Sequence, residues 1–490
     1  MKLVFVNHKF SYEIEKVCRL FFPFEKIGEN ADGEKVVTAV FDKGDSVLLK
    51  VEAFCISKEQ TLPKSEPDFY KEQERILACL VYDILCEKTG IKSQWGILTG
   101  IRPTKLLRQK QELLGKEGAR IFFTEKLKCS ENKFDLLEKA LKKETEIIAK
   151  SKDNWYSLYF SVPFCPSRCS YCSFVSHSIE KTFHLLDEYV DLLCKELKKT
   201  AKIAKDLNLH LATVYFGGGT PTTLSANQLE KVLDTVCTEF DIENALEFNV
   251  EAGRPDTVTA EKLKVLKAHA VSRISINPQT LNDEVLKIIG RNHTAKQMTD
   301  AFYLARGEGF DNINTDLIAG LPGDSVKSFE NSLNSVLDLS PESITVHSLA
   351  MKKASNLSEQ NYQSDVQRTK DADEMLSFLN EKLKCEYNPY YLYRQAKSVG
   401  NLENVGYCKE GKEGLYNIYI MDETHTILAC GGGATTKLKA KGDNVSDQKI
   451  KRIYNYKYPY EYISSFDEMM KRKEQIYEFY DENCNNRGKY

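Results

Sequence analysis

Six short β-rich runs, each followed by an amphipathic segment, set the tightest limit on how this chain folds. The runs are Ser157–Val162, Ala212–Phe216, Ala245–Val250, Val271–Ile276, Asn312–Ile318 and Ser343–His347. Between them, segments such as 183–207, 226–240, 260–269, 295–307 and 326–337 carry apolar residues at helical spacing. Consecutive strands separated by whole helices pair in parallel, with the helices laid over the sheet. The pattern predicts an α/β unit of βα repeats, open or closed as a barrel, with its chemistry at the carboxyl ends of the strands.

The flanks read differently. Leu3–Val6 is expected as a strand, Tyr12–Phe21 as a helix, and Val36–Phe41 with Ser46–Ala53 as a hairpin around Lys43-Gly44-Asp45. Helices are expected near 69–88 and 117–150, with Gly96 to Lys105 between them as a glycine-punctuated cationic loop. After residue 350 the pattern gives a helix near 364–385, Tyr- and Gly-rich strands near 389–437 and a last helix near 459–481. The length of 490 residues suits about three domains. They are expected as an N-terminal α+β domain over 1–152, the repeat core over 153–350, and a mixed α/β domain over 351–490 that covers the substrate.

Charge and hydropathy remove several classes of function. Lys+Arg 68 against Asp+Glu 71 leaves a formal charge of -3, which offers no electrostatic footprint for nucleic acid. No run approaches the roughly 18 apolar residues of a membrane span. Met1 to Phe10 reads as a strand rather than a secretion signal. A cytoplasmic protein is expected.

Fourteen cysteines in 490 residues fall far below the density of a disulfide scaffold. Most are scattered singly, but Cys165, Cys169 and Cys172 form a C-x3-C-x2-C run directly after the first strand of the repeat core. A fully ligated iron–sulfur cube takes four cysteines, so three on one loop leave an iron open to a further ligand. The alternative is a structural zinc site completed by His177. The second strand ends in Gly217-Gly218-Gly219-Thr220-Pro221, where missing side chains let backbone approach a ligand. The third ends at Glu251, and Asp316 interrupts the apolar run of the fifth, where an ionised group needs a partner.

These motifs resemble a family. Tyr159-x3-Pro163-Phe164-Cys165-x3-Cys169-x-Tyr171-Cys172, Gly217-Gly218-Gly219-Thr220-Pro221, Gly290-Arg291-x-His293-Thr294 and Asp316-Leu317-Ile318-x-Gly320-Leu321-Pro322-Gly323 are similar to those of radical S-adenosylmethionine (SAM) enzymes of the oxygen-independent coproporphyrinogen III oxidase group. Gly100-Ile101-Arg102-Pro103-Thr104-Lys105 and Gly400 to Tyr407 resemble its HemZ-type branch. The resemblance implies a partial (β/α)6 TIM-like barrel in which Cys165, Cys169 and Cys172 hold a [4Fe-4S] cluster. It also implies that Tyr159, Tyr171, Gly218, Gly219, Thr220, Glu251, Gln279, Arg291, Asp316 and Ala350 contact SAM. Glu251 and glycine carbonyls would accept from its ammonium, Arg291 would pair its carboxylate, and Asp316 would bind ribose hydroxyls.

The activity so implied is radical decarboxylation of coproporphyrinogen III to protoporphyrinogen IX, fed by an unidentified electron donor. Arg102, Arg273 and Arg394 are candidates for the carboxylates of the tetrapyrrole substrate. Two positions depart from the oxidases of the group: Phe174 stands in place of a fourth cysteine, and Ser161 in place of a histidine. The haem-chaperone branch also lacks that cysteine, so a haem carrier is the alternative function, with a radical SAM methyltransferase or haem-degrading enzyme as the third.

Overall fold

Side-chain caps begin four of the helices of the central region in a computed structural model of the chain, which describes residues 1–172, 174, 177–350, 366–440 and 450–484. Ser225, Thr259, Thr294 and Ser325 each accept a backbone N–H at the start of Ala226–Glu239, Ala260–Ala268, Ala295–Gly307 and Val326–Asp338. Such caps satisfy donors that a helix start leaves unpaired.

The N-terminal sheet contains β1 (Lys2–Val6), β2 (Lys35–Asp42), β3 (Ser46–Ala53) and β4 (Ile56–Pro63) in that order. β1 pairs with β2 in parallel, and the remaining pairs are antiparallel. β4 escaped the sequence reading because Leu62 is its one fully buried residue and Ser57 to Thr61 are polar, as suits a protected edge. Helical structure also begins earlier than expected, at Pro103, whose fixed backbone and missing N–H suit a first turn. Gly115 at φ +72° and a π-turn over Phe122–Lys126 then separate this helix from Glu131–Ile148.

The central sheet begins with β5 (Trp155–Val162). Next come the two-residue β6 (Phe164–Cys165) and β7 (His177–Ser178), which pair with each other outside it. β8 (His210–Gly218), β9 (Glu247–Glu251), β10 (Arg273–Ser275), β11 (Ile313–Ala319) and β12 (Ser343–Ser348) follow β5 in spatial order, all parallel. These are the six expected βα strands. The sheet does not close; chain beyond residue 350 extends both of its edges. β13 (Asn388–Arg394) and β14 (Glu403–Cys408) add antiparallel beyond β12. On the other edge β15 (Thr426–Cys430) pairs in parallel with β5, followed by antiparallel β16 (Thr435–Lys439) and β17 (Ile450–Tyr454). All five residues of β15 are buried, the mark of a strand covered on both faces.

Two large apolar cores support this arrangement, beside a small third around Tyr390, Ile418 and Tyr419. One runs from Leu3, Val17 and Trp95 to Leu317, Leu376 and Tyr407, so the N-terminal elements share a core with the β11–β14 side of the sheet. The other gathers Phe160, Phe216, Val250, Leu428 and Tyr462. The expected last helix is three short ones, Pro459–Ser464, Phe466–Arg472 and Glu474–Cys484. Among the described residues no helix is long and apolar enough to cross a membrane.

Candidate active site

The cysteine run is tied at its base before it reaches the cavity. β6 and β7 clamp the two ends of the loop, with His177 N donating to Pro163 O at 2.9 Å. Within the loop Cys172 N donates to Cys169 O, while Ser170 N and Ser167 Oγ reach Ile289 O and Gly290 O. Cys165, Cys169 and Cys172 all line a cavity of about 850 Å³ at the strand ends. Cys169 is buried; Cys165 and Cys172 are half-buried, with Cys165 Sγ 3.6 Å from Thr220 Oγ1. Burial pushes the Cys172 thiol up to about 11, an energetic debt that metal ligation of the thiolate would relieve. Phe174, at the position of the missing fourth cysteine, is exposed and also lines the cavity.

The glycines after β8 serve the loop more directly than expected. Gly218 sits at φ +105°, and a Cβ there would lie 2.8 Å from Val162 O; a Cβ on Gly219 would lie 2.4 Å from Phe164 O. The close approach is therefore to the cysteine loop's own backbone, sealed by Gly219 N on Val162 O and Thr220 N on Phe164 O. All of Gly218, Gly219 and Thr220 still border the cavity.

Carboxylates stand at the next strand ends. Tyr215 Oη donates to Glu251 Oε1, and Asn277 Nδ2 donates to Glu251 Oε2 at 3.4 Å. Asn277 Oδ1 accepts from Asp316 N at 3.2 Å, so this amide ties the Glu251 carboxylate to the backbone of β11 at Asp316. Asp316 takes Asn314 Nδ2 at 2.7 Å and lies 3.6 Å from His347 Nε2. Burial, then the nearby Asp316, pushes the Glu251 carboxyl up to about 7. Tyr159, Tyr171, Gln279, Arg291 and Ala350 also line this cavity.

Arg291 is engaged differently from the expectation of a carboxylate partner. Its terminal nitrogens donate to the carbonyls of Asn277, Pro278 and Gly253, which makes it a brace between two strand-end loops. The proposed zinc partner His177 packs edge-on against the stacked rings of Tyr458 and Tyr460, with centroids at 5.6 and 6.2 Å, and does not line the cavity. Of the candidate arginines, Arg273 bonds Asn312, Lys412 O and Ser343, and Arg394 bonds Leu98 O and Asn401 O. Arg102 pairs with Glu423.

Sequence reasoning passed over Arg254. It donates to Cys169 Sγ at 3.8 Å and to Ser167, and is itself held by Asp256 at 2.9 Å. Its signal was its place three residues beyond β9, where the strand-end rule already selected Glu251. Tyr215 and Tyr416 were also missed: with the expected Tyr159 they form a stacked wall, with 6.1 Å between the centroids of Tyr159 and Tyr215 and 4.5 Å between those of Tyr215 and Tyr416.

Three thiols on one tied loop, opening onto a cavity rimmed by polar strand ends, is the arrangement of radical SAM proteins, and residues 159–336 match the Radical SAM superfamily. That superfamily uses a [4Fe-4S] cluster and SAM. Over 424 residues the chain is 38% identical to the oxygen-independent coproporphyrinogen-III oxidase-like protein HemZ of Bacillus subtilis (strain 168), covering 84% of each. It belongs to this oxygen-independent coproporphyrinogen III oxidase-like family. It is also 42% identical over 197 residues to the haem chaperone HemW of the same organism, 40% of this chain and 51% of that protein. Among solved structures it is similar to Escherichia coli coproporphyrinogen III oxidase (HemN), with 22% identity, a TM-score of 0.48, and coverage of 66% of this chain and 72% of that one.

The residues present fit these cofactors. Thiolates are the donors that iron–sulfur clusters take. The cavity also holds buried polar atoms without a protein partner, Asn249 Oδ1, Gln279 Oε1 and Arg291 Nε, of the kind a polar ligand satisfies.

Proposed function

We propose that this chain is a cytoplasmic radical SAM oxidoreductase that decarboxylates propionate side chains of coproporphyrinogen III to vinyl groups, giving protoporphyrinogen IX. The observation that carries the reading is one continuous cavity of about 850 Å³, large enough for SAM beside a second ligand, shared by the three thiols, the Glu251–Asp316 pair and the tyrosine wall. In this reading Cys165, Cys169 and Cys172 hold the cluster, and Arg254 steadies the loop through Cys169 and Ser167. Tyr159, Tyr171, Gly218, Gly219, Thr220, Gln279 and Ala350 border SAM, Glu251 receives its ammonium, and Asp316 receives its ribose hydroxyls. Arg291 shapes that pocket through the three carbonyls it braces.

Held at Cys165, Cys169 and Cys172, a cluster with SAM would supply hydrogen-abstracting radical chemistry driven by one electron from an external reductant. Conversion of a propionate to a vinyl group would then remove one hydrogen from the β-carbon, release CO₂ and pass one electron to a one-electron acceptor outside the chain. The chain's own contribution is to position the groups and exclude water. Strands β15 to β17 act as part of the substrate cover, since Ile427, Thr435 and Tyr454 all border the cavity.

A haem carrier is the second reading, favoured by the 42% identity to a haem chaperone across the core and by Phe174. Against it, His347 is the one histidine bordering the cavity among the described residues, and it faces Asp316. Anaerobic incubation with SAM, a reductant and coproporphyrinogen III separates the readings. Protoporphyrinogen IX and 5′-deoxyadenosine support the oxidase, whereas stoichiometric haem binding without turnover supports the carrier. S-adenosylhomocysteine would mark a methyltransferase.

A further inference from the structure

Lys437 on β16 and Arg452 on β17 border the same cavity, and the sequence motifs gave them no role. Both belong to a cation cluster built around one acid. Lys437 Nζ lies 2.8 Å from Glu423 Oε1 and Arg452 Nη2 lies 3.6 Å from it; Arg102 and Lys105 meet Glu423 Oε2, Lys105 at 3.6 Å. Among the described residues Glu423 is the one carboxylate in ion-pair contact with these four cations, so within this ion-paired set the cations outnumber the acid four to one. Glu423 itself lies outside the cavity lining, whereas two of the cations lie in it.

The charge excess is visible in the titration of the members. Burial opposes ionisation of Glu423, but Arg102 and Lys437 overcome it and hold the carboxyl down at about 2. Burial pushes the Lys437 ammonium down, and repulsion from Arg102 and Arg452 adds to that despite Glu423. A second anion entering from the cavity therefore meets an under-neutralised field in a partly dry site, where charge-assisted bonds are strong.

We propose that Lys437 and Arg452 form the carboxylate subsite of this cavity, gripping propionate groups of a tetrapyrrole, with Arg102 and Lys105 reinforcing the field through Glu423. The proposal rests on the tetrapyrrole reading above. It gives the cationic motif Ile101 to Lys105 a function: the N-terminal elements complete a substrate site whose contacting residues lie more than three hundred positions later. The stacked Tyr159, Tyr215 and Tyr416 offer apolar faces for pyrrole rings in the same cavity.

The test is anaerobic fluorescence titration of the cluster-loaded chain with coproporphyrin III and with its tetramethyl ester, which lacks the carboxylates. Lys437→Gln/Arg452→Gln is expected to weaken coproporphyrin III binding about tenfold or more, and to flatten its salt dependence. Iron content and SAM affinity should stay at wild-type levels, which shows the variant is folded, and Lys437→Arg/Arg452→Lys should restore most of the binding. The ester should bind wild type and the double variant alike. Equal binding of acid and ester by wild type, unchanged affinity in the double variant, or no binding of the porphyrin by wild type would each overturn the subsite. If coproporphyrin III binds through these cations yet coproporphyrinogen III is never turned over, the subsite stands and the oxidase reading falls.

Discussion

The indole N–H of Trp95 donates to Glu403 Oε2 at 2.7 Å, joining positions 308 residues apart. Lys133 Nζ meets the other oxygen at 2.6 Å, and all three side chains are buried. Burial disfavours the charge on Glu403, but Lys133 and then Trp95 hold its carboxyl below the ordinary range. Glu403 opens β14, and the next residue, Asn404, borders the cavity and accepts from Ser348 N at 3.0 Å. The N-terminal elements thus fix a strand of the site. Glu403→Gln leaves Lys133 charged and buried, and should cost about 3–5 kcal/mol in urea unfolding, whereas Lys133→Met/Glu403→Gln should recover much of it. A single variant as stable as wild type would show that the Lys133–Glu403 pair contributes nothing to stability.

Gly219 offers a test of the loop's packing. A methyl group there would lie 2.4 Å from Phe164 O, against backbone that cannot rotate away. Gly219→Ala should displace the cysteine loop and lower both cluster retention and SAM affinity, measured by labile sulfide and by calorimetry. Gly411→Ala, at φ +75° with nothing within 4 Å of the added carbon, carries backbone strain that Gly219→Ala lacks, yet without a clash at the loop it should leave both readings unchanged.

Cluster assembly is expected to depend on Cys165, Cys169 and Cys172 individually. Each Cys→Ala variant should lose the [4Fe-4S] absorbance after anaerobic reconstitution, and Cys237→Ala, whose thiol donates to His269 O, should keep it. Stoichiometric zinc in the purified protein, without labile sulfide, would reverse this assignment.

Glu251 gives a pH dependence with a definite sign. Its carboxyl is raised from an ordinary 4.5 to about 7, by burial first and then by Asp316, with Tyr215, His347 and Arg273 opposing. A raised carboxyl contributes stability that is complete below about 4.5 and lost as pH climbs to about 7. In the SAM-free protein this amounts to on the order of 2–3 kcal/mol, and Glu251→Gln should flatten that part of the thermal-melt profile. SAM brings an ammonium that favours the ionised acid, so its affinity should rise with pH and level off above about 7. Parallel profiles in wild type and Glu251→Gln would place the titration elsewhere.

Much of this was legible in the sequence where local pattern and tertiary role coincide. The six βα strands announce themselves because each sets apolar residues on its helix-covered face and is followed by an amphipathic helix, and Cys165 to Cys172 announce themselves because ligands on one loop are close in sequence. β15 was harder to place: Thr426–Cys430 reads as an apolar run, but nothing local says that it pairs with β5, about 270 residues earlier. Arg254 and Asn277 act through contacts with residues far along the chain, as does the Glu423 cluster, which draws cations from both ends of the sequence. The three glycines were singled out for close approach to a ligand; a Cβ on Gly218 or Gly219 would instead meet backbone of Val162 or Phe164, and one on Gly217 the ring of Tyr215.

The most direct measurement of the central claim is isotope transfer from substrate to SAM product. Coproporphyrinogen III deuterated at the propionate β-carbons is incubated anaerobically with the reconstituted chain, SAM and dithionite, and 5′-deoxyadenosine is analysed by mass spectrometry. One deuterium is expected in 5′-deoxyadenosine, with vinyl-bearing product formed in step with it. Abundant but unlabelled 5′-deoxyadenosine, or none above the level without substrate, would contradict it.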